Sequence, residues 1–277
     1  MLSDSSTTSK LSLGALFVLT LGVLAAYALS SSTSSTEVSA SASNTVKRAP
    51  SAASTTAPSS QVSNTPSGLA LSMAVANAGI KLDKRWPKTL TLLTDSVGLG
   101  VKDALPAALP DWKVDVRGRP ALMLKAANAE LAADPAPVGA VVVVALGYNS
   151  LWGKDRSQYD TWAAQFNREV DALIATLREK GAKKIVWVTL RDPDPSLIPA
   201  AALAQAEKYT WYFPYVNEQL DALAVRDPLV ALADWAAVSN LPGLTYDAIH
   251  LKTLGANLMV ETMKAGVGLP TAPVPGL

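Results

Sequence analysis

The chain has 277 residues, of which 49% are hydrophobic and 17% are charged, a composition that excludes an intrinsically disordered chain. Lys and Arg number 24 and Asp and Glu 23, so the net charge is +1 and the basic excess of a nucleic-acid-binding protein is missing. There is no Cys and one His, His250, which excludes disulfide scaffolds, thiolate metal sites, cysteine nucleophiles and sites that need two histidines. At about 150 residues per domain, this length corresponds to one or two domains.

A short N-terminal segment, residues 1–10, precedes an uncharged apolar run at residues 11–29. As a helix rising about 1.5 Å per residue, this run nearly matches the bilayer core of about 30 Å, so it predicts a transmembrane signal anchor. A cleaved signal peptide is the alternative, because Ala26-Tyr27-Ala28 is similar to a small-x-small cleavage site, and a buried core helix is a third. The first two interpretations predict that the chain is exported. An anchor would make it a single-pass membrane protein with an extracytoplasmic domain, and a cleaved signal peptide would make it a secreted protein.

Residues 30–67 are rich in Ser, Thr, Ala and Pro, and Glu37, Lys47 and Arg48 are their only charged residues. Such a segment buries too little apolar surface to offset the entropy of ordering it, so we predict a disordered linker. A linker after a membrane anchor holds a domain away from the lipid, which fits the cell envelope. A Pro-rich tail is predicted at residues 269–277.

Residues 68–268 form the predicted catalytic domain, in which strand-like and helical patterns alternate. The strand-like runs are 89–94, 114–117, 140–146, 184–190 and 229–234. The helical patterns are 101–109, 121–133, 159–180, 197–225 and 254–264. The run 140–146 is apolar throughout, which is typical of a central parallel strand covered on both faces. We therefore predict an α/β domain with a doubly wound, flavodoxin-like sheet of five parallel strands, whose ligands bind at the carboxyl ends of the strands.

Four predicted loops carry polar residues that form one set. These loops are 94–100, 116–120, 146–150 and 246–251, and their candidate site residues are Ser96, Gly118, Asn149, Asp247 and His250. In this order they resemble the blocks of the SGNH (GDSL-like) hydrolase family, which supply Ser, Gly, Asn and His. The resemblance covers nearly the whole domain. Segments 95–97 and 249–251 are similar to those of SGNH domains attached to bacterial envelope O-acyltransferases.

The resemblance implies an SGNH fold and assigns the oxyanion hole to the Ser96 amide, the Gly118 amide and the Asn149 side chain. It also makes an envelope acyltransferase a candidate partner. Two positions depart from the family pattern. Thr94 stands where the family usually has Gly, and Tyr148 stands where a small or polar residue is common, so we expect an altered turn and an altered pocket wall.

The chemistry of these residue types points the same way. Ser96 lies where a strand meets a helix, and a serine needs an adjacent base to become a nucleophile. His250 is the only imidazole, and Asp247, three residues before it, is placed to orient the ring. We predict an exported, membrane-tethered serine esterase that forms an acyl–Ser96 intermediate on an O-acyl ester of an envelope glycan or lipid. An O-acyltransferase with the same site and an inactive glycan-binding module on the same fold are the alternatives.

Each candidate residue also has a structural alternative. Ser96 could cap the following helix, Asp247 could cap a turn, and His250 could be a structural residue. Gly118 and Asn149 could simply serve turns. The presence of all five in the expected order favours the catalytic interpretation.

Other features favour structural roles. Asp95 is interpreted as a helix-capping residue. Arg119 and Arg191 lie at strand ends and are interpreted as solvated residues. Contact with an anionic or sugar substrate is the alternative for both. Gly98-x-Gly100 is a weak dinucleotide pattern because Asp103 occupies the third glycine position, so no cofactor or metal site is predicted. An aromatic cluster favours packing over a sugar platform; it comprises Tyr209, Trp211, Tyr212, Phe213 and Tyr215.

Overall fold

A computed structural model describes residues 80–277. The predicted N-terminal segment, membrane anchor and linker, residues 1–10, 11–29 and 30–67, lie outside the described residues. Within residues 80–277, no helix combines the length and the apolar character needed to cross a membrane.

Five parallel strands form one sheet, as the alternating pattern predicts. The strands are β1 (Thr89–Thr94), β2 (Lys113–Gly118), β3 (Val141–Ala145), β4 (Lys184–Val188) and β5 (Val230–Ala233). Their order across the sheet is β2-β1-β3-β4-β5, which is the flavodoxin-like order. Every residue of β3 and β4 is buried, because both faces of these central strands are covered. The predicted α/β class and sheet type are therefore confirmed.

Seven α-helices are found in the described part of the chain. They are α1 (Ala104–Ala108), α2 (Leu124–Ala133), α3 (Tyr159–Glu179), α4 (Ala200–Ala206), α5 (Phe213–Arg226), α6 (Trp235–Val238) and α7 (Thr253–Val267). The longest, α3, buries one face through residues spaced three and four apart: Phe166, Val170, Leu173, Ile174 and Leu177. Short 3-10 turns lie at Gly98–Val101, Arg156–Gln158, Pro195–Leu197 and Thr210–Tyr212.

The helical pattern predicted over 197–225, which Pro214 interrupts, is divided in the structure into α4, a 3-10 turn and α5. Pro214 explains the break. Proline lacks an N–H and its ring collides with the carbonyl four residues earlier, so it is tolerated in the first turn of a helix and not in the interior. Pro214 accordingly occupies the first turn of α5.

Helix α7 links the core to the carboxyl edge of the sheet. It packs against β4, β5 and the Gly98–Val101 turn that follows β1. The irregular loop that leads into α7 therefore arrives beside the end of β1. Beyond the helix, Leu269 and Val274 of the Pro-rich tail pack against the core.

Candidate active site

Three side chains from two distant loops form a continuous hydrogen-bonded chain. Ser96 lies two residues after β1, and its Oγ is 3.0 Å from Nε2 of His250. Nδ1 of the same ring is 2.8 Å from Oδ2 of Asp247. One ring nitrogen thus faces a hydroxyl and the other a carboxylate, which is the arrangement in which an imidazole accepts a proton from a serine.

The loop before α7 folds around the Asp247 carboxylate. Oδ1 of Asp247 accepts hydrogen bonds from the backbone N–H groups of Ile249 at 2.8 Å and His250 at 2.7 Å. This turn uses one carboxylate oxygen for the backbone and leaves the other for the imidazole. Asp247 therefore shapes the turn and also contacts the imidazole ring.

The three predicted oxyanion donors lie on neighbouring loops. The sheet order β2-β1-β3 places the loops carrying Gly118, Ser96 and Asn149 side by side at the carboxyl edge. Gly118 is the last residue of β2 and is paired with Thr94 of β1. A Cβ on Gly118 would lie 2.0 Å from the Thr94 carbonyl oxygen, so this position requires glycine for close approach of the backbones.

The fold of the described residues is similar to that of several solved structures. No protein-family model matches the sequence, and no curated protein matches it either. Among solved structures, a protein named as a GDSL-like lipase from Parabacteroides merdae matches with a TM-score of 0.51 at 17% identity, over 69% of this chain and 100% of that one. The acetyl xylan esterase AlAXEase matches with a TM-score of 0.50 at 18% identity, over 65% of this chain and 99% of that one. The fold is that of the SGNH (GDSL-like) hydrolases.

The C-terminal catalytic domain of peptidoglycan O-acetyltransferase A from Streptococcus pneumoniae also matches, with a TM-score of 0.47 at 21% identity, over 66% of this chain and 94% of that one. At such identities the similarity is one of fold. What this chain does chemically depends on the side chains that its own loops carry.

The departure from the SGNH pattern at Thr94 has a structural compensation. Thr94 is fully buried, and its hydroxyl donates to the carbonyl oxygens of Asp95 at 3.1 Å and Ala145 at 3.3 Å. A Cβ on Gly98 would lie 2.0 Å from Oγ1 of Thr94. Glycine at position 98 therefore makes room for the threonine, and the Thr94 hydroxyl ties the end of β1 to β3.

Asp95 does more than the capping predicted for it. Its carboxylate is fully buried, and Oδ1 accepts from the Val97 N–H at 3.0 Å. Oδ2 accepts from Nδ2 of Asn149 at 3.0 Å, which fixes the side-chain amide of that residue. Burial raises the pKa of Asp95 to about 7, against the opposing effects of these hydrogen bonds and of nearby His250. Sequence reasoning missed the contact with Asn149, because the two residues are separated by β2, two helices and β3.

The electrostatics of the His250–Asp247 pair favour the charged form of both groups. Burial alone would lower the pKa of His250, but the hydrogen bond that its ring donates to Asp247 and the negative charges of Asp247 and Asp95 outweigh it, so the pKa is raised. Burial alone would raise the pKa of Asp247, but its bonds to the His250 ring and to two backbone N–H groups lower it overall. The carboxylate is thus ionised at neutral pH and stabilises a protonated ring.

Tyr148 and most of the aromatic cluster belong to the core. Tyr148 is 4% exposed, and its ring meets Phe213 edge-on with centroids 5.0 Å apart, so the expectation that it lines the pocket wall is not met. Tyr212 and Phe213 are fully buried. Tyr209 is nearly buried and stacks on Trp152 with centroids 4.7 Å apart. Packing, the favoured interpretation of the cluster, accounts for these residues.

The two arginines singled out from the sequence differ sharply. Arg119 is half-exposed and pairs with Glu130 at 2.8 Å, as expected of a solvated residue. Arg191 is only 1% exposed, so the prediction that it is a solvated surface residue is wrong. Its side chain turns inward because the loop after β5 offers it several backbone carbonyl oxygens.

Proposed function

We propose that this chain is a serine esterase of the SGNH type that acts through an acyl–Ser96 intermediate. The observation that carries the proposal is the chain of contacts from Ser96 Oγ to His250 Nε2 at 3.0 Å and from His250 Nδ1 to Asp247 Oδ2 at 2.8 Å. Among residues 80–277, His250 is the one imidazole, and it lies within hydrogen-bonding distance of Ser96, two residues after β1.

In the proposed first step, Ser96 Oγ attacks the ester carbonyl carbon while His250 Nε2 takes the hydroxyl proton. The negative charge that develops on the carbonyl oxygen is stabilised by the Asn149 side chain and by the Ser96 and Gly118 amides. The tetrahedral intermediate then collapses as His250 returns the proton to the leaving alkoxide. An acyl ester on Ser96 and a free alcohol are formed.

In the second step, water attacks the acyl–Ser96 carbonyl and gives its proton to His250. Collapse of this intermediate releases the carboxylic acid and restores the Ser96 hydroxyl with the proton from His250. Asp247 holds the ring in one orientation and stabilises it whenever it is positively charged. The net reaction consumes one ester and one water and yields one acid and one alcohol.

For the substrate, we propose a small O-acyl group on a glycan or lipid of the cell envelope. Support comes from the predicted membrane anchor at 11–29, the linker at 30–67 and the motif similarity to envelope O-acyltransferase domains. One protein of the same fold is named as an acetyl xylan esterase, which is consistent with an acylated glycan. On this proposal the catalytic domain acts on the extracytoplasmic side, and an envelope acyltransferase is a candidate partner.

Acyl transfer to a sugar hydroxyl is the second candidate, and the segments 95–97 and 249–251 favour it by their similarity to O-acyltransferase domains. The same acyl–Ser96 intermediate serves both reactions. They differ in whether water or a sugar hydroxyl attacks the acyl group in the second step. A panel of acyl donors assayed with and without acetylatable glycans separates the two through the products.

The test of the proposed function is Ser96→Ala in the full-length chain. p-Nitrophenyl esters of increasing acyl length serve as substrates, and a fluorophosphonate probe reports the nucleophile directly. We expect the variant to lose both turnover and labelling while keeping the wild-type circular dichroism spectrum. Ser157→Ala, in the exposed Arg156–Gln158 turn, is the matched control and should keep both. Turnover in Ser96→Ala, or labelling of another serine, contradicts the proposal.

A further inference from the structure

A positive charge lies buried beneath the loop that carries Asp247 and His250. Arg191 follows the carboxyl end of β4 and is 1% exposed. Within residues 80–277, no carboxylate lies within salt-bridge distance of its guanidinium. Burial lowers the pKa of Arg191, and the charges of Tyr148 and Asp247 act in the opposite direction. Burying a charge without an ion-pair partner costs free energy. Arginine is therefore a poor choice at a position that serves packing alone.

The guanidinium is bonded instead to the loop before α7. Nε donates to the Ser239 carbonyl at 3.0 Å, and Nη2 donates to the Leu241 carbonyl at 3.4 Å. Nη1 donates to Oγ1 of Thr245 at 2.5 Å and to the Ala248 carbonyl at 3.0 Å. The last two acceptors flank Asp247 in sequence.

The hydrogen bonds from Arg191 pair backbone carbonyls that would be paired within a helix or a sheet if the loop were regular. Residues 239–250 are irregular apart from one isolated bridge between Thr245 and Leu251, so their buried carbonyls need other donors. Arg191 supplies donors to three of these carbonyls. The hydroxyl of Thr245, which accepts from Arg191, in turn donates to the Asp247 carbonyl at 2.5 Å.

The backbone of Arg191 is itself held firmly. Its N–H donates to the hydroxyl of Tyr148 at 2.7 Å, one residue before Asn149. The preceding residue, Leu190, is clamped by the Asn217 side chain, which accepts from its N–H at 2.7 Å and donates to its carbonyl at 2.8 Å. Arg191 thus connects the loop of Asn149 to the loop of Asp247.

We propose that Arg191 is a positioning residue, whose buried guanidinium holds the 239–250 loop so that Asp247 and His250 stay aligned with Ser96. This inference rests on the proposed serine mechanism. It assigns to the arginine no contact with substrate. Its effect on catalysis passes through the alignment of the imidazole, where small displacements have large effects on rate.

The experiment compares Arg191→Lys and Arg191→Met with a matched buried cation. Lys184 is 3% exposed at the opposite end of β4 and donates to the Val267 carbonyl at 3.1 Å, so Lys184→Met removes a similar charge away from the site. The milder Tyr148→Phe removes the bond that holds the Arg191 backbone and serves as the deciding variant where Arg191 variants fail to fold. All are made in the full-length chain with a histidine-free affinity tag.

Two quantities are measured: kcat and KM on a p-nitrophenyl ester, and the pKa of His250 by NMR of ¹³C-labelled histidine. Because His250 is the only histidine, the NMR signal belongs to one residue. The ring nitrogens contact Ser96 and Asp247, and the charges of Asp247 and of nearby Asp95 raise the His250 pKa.

We expect both Arg191 variants to lower kcat by about 100-fold with little change in KM. The pKa of His250 should fall as its contact with Asp247 loosens. Tyr148→Phe should change both quantities in the same direction and by less. Lys184→Met should lower the melting temperature without changing kcat or the His250 pKa.

Wild-type kcat and wild-type His250 pKa in Arg191→Lys would overturn the inference, as would equal changes in Lys184→Met. Where Arg191 variants do not fold, unchanged values in Tyr148→Phe overturn it. Failure of the proposed function is distinguishable, because it removes esterase activity from the wild type itself. The NMR comparison then still decides whether Arg191 positions His250.

Discussion

The side-chain amide of Asn149 donates a hydrogen bond to the buried carboxylate of Asp95 at 3.0 Å. Because one N–H of the amide is bonded to Asp95, its carbonyl oxygen points away from that carboxylate. The second N–H is left available to donate to another group. In the proposed mechanism this second N–H faces the developing oxyanion. On that mechanism, Asp95 acts on catalysis through Asn149 and touches no reacting atom.

We predict that Asp95→Asn lowers kcat, because the new amide cannot accept from both Val97 and Asn149. Loss of the donor itself, in Asn149→Ala, should cost about 100- to 1000-fold in kcat. The double variant should be no worse than Asn149→Ala, since residues that act through one contact are not additive. Steady-state kinetics of the three variants measures this, with Asp155→Asn in an exposed turn as the control. Additive losses would show that Asp95 acts by another route.

The pH dependence of kcat/KM should have an acid limb controlled by His250. The ring must be neutral to accept the Ser96 proton, so activity falls as the pH drops through the His250 pKa. That pKa is raised by Asp247 and Asp95, which places the midpoint above the ordinary histidine value of about 6.5. A pH–rate profile on a p-nitrophenyl ester measures the midpoint.

Modification of the single histidine gives an independent check. Diethyl pyrocarbonate should inactivate the enzyme with one modified imidazole per chain, and hydroxylamine should restore activity. His250→Ala should reproduce the inactivated state. Full activity in His250→Ala would exclude the proposed base.

Asp247→Asn should retain more activity than His250→Ala. The amide still occupies the turn but no longer stabilises the charged ring, so orientation and charge are lost while the base remains. In one well-studied serine protease, removal of the triad acid lowers kcat about 3 × 10⁴-fold and removal of the base about 2 × 10⁶-fold, and we expect the same order here. The acid limb of Asp247→Asn should also move to lower pH, because a group that raises the His250 pKa is gone. A limb that stays in place or moves to higher pH would contradict this pairing.

Gly118→Ala should reduce both stability and activity. Its Cβ would lie 2.0 Å from the Thr94 carbonyl oxygen, so the end of β2 must move away from β1. Overpacking of this kind typically costs about 1–3 kcal/mol of unfolding free energy. Thermal denaturation and kcat measured on the same sample test both effects. Ser96→Ala, which should lower kcat alone, is the contrast, and a Gly118→Ala protein with wild-type values would contradict the predicted close approach.

The sequence by itself determined the layered architecture and the types of residue in the site. Apolar runs of strand length report burial directly, so β1 was predicted at its observed bounds and the other strands to within two residues at either end. Helix boundaries were less accurate where a proline intervened. Pro214 interrupts the helical pattern over 197–225, and in the structure it lies in the first turn of α5.

Tertiary structure alone decided how the site is supported. Whether Arg191 lies on the surface or beneath the 239–250 loop depends on carbonyl oxygens about 50 residues further along the chain. The bond from Asn149 to Asp95 likewise joins residues 54 positions apart. Sequence periodicity reports which face of a local element is buried, but it carries no information on which distant polar groups meet there. Those partners are set by the order of the strands and the path of the loops, because folding brings the carboxyl ends of β1, β3 and β4 to one edge.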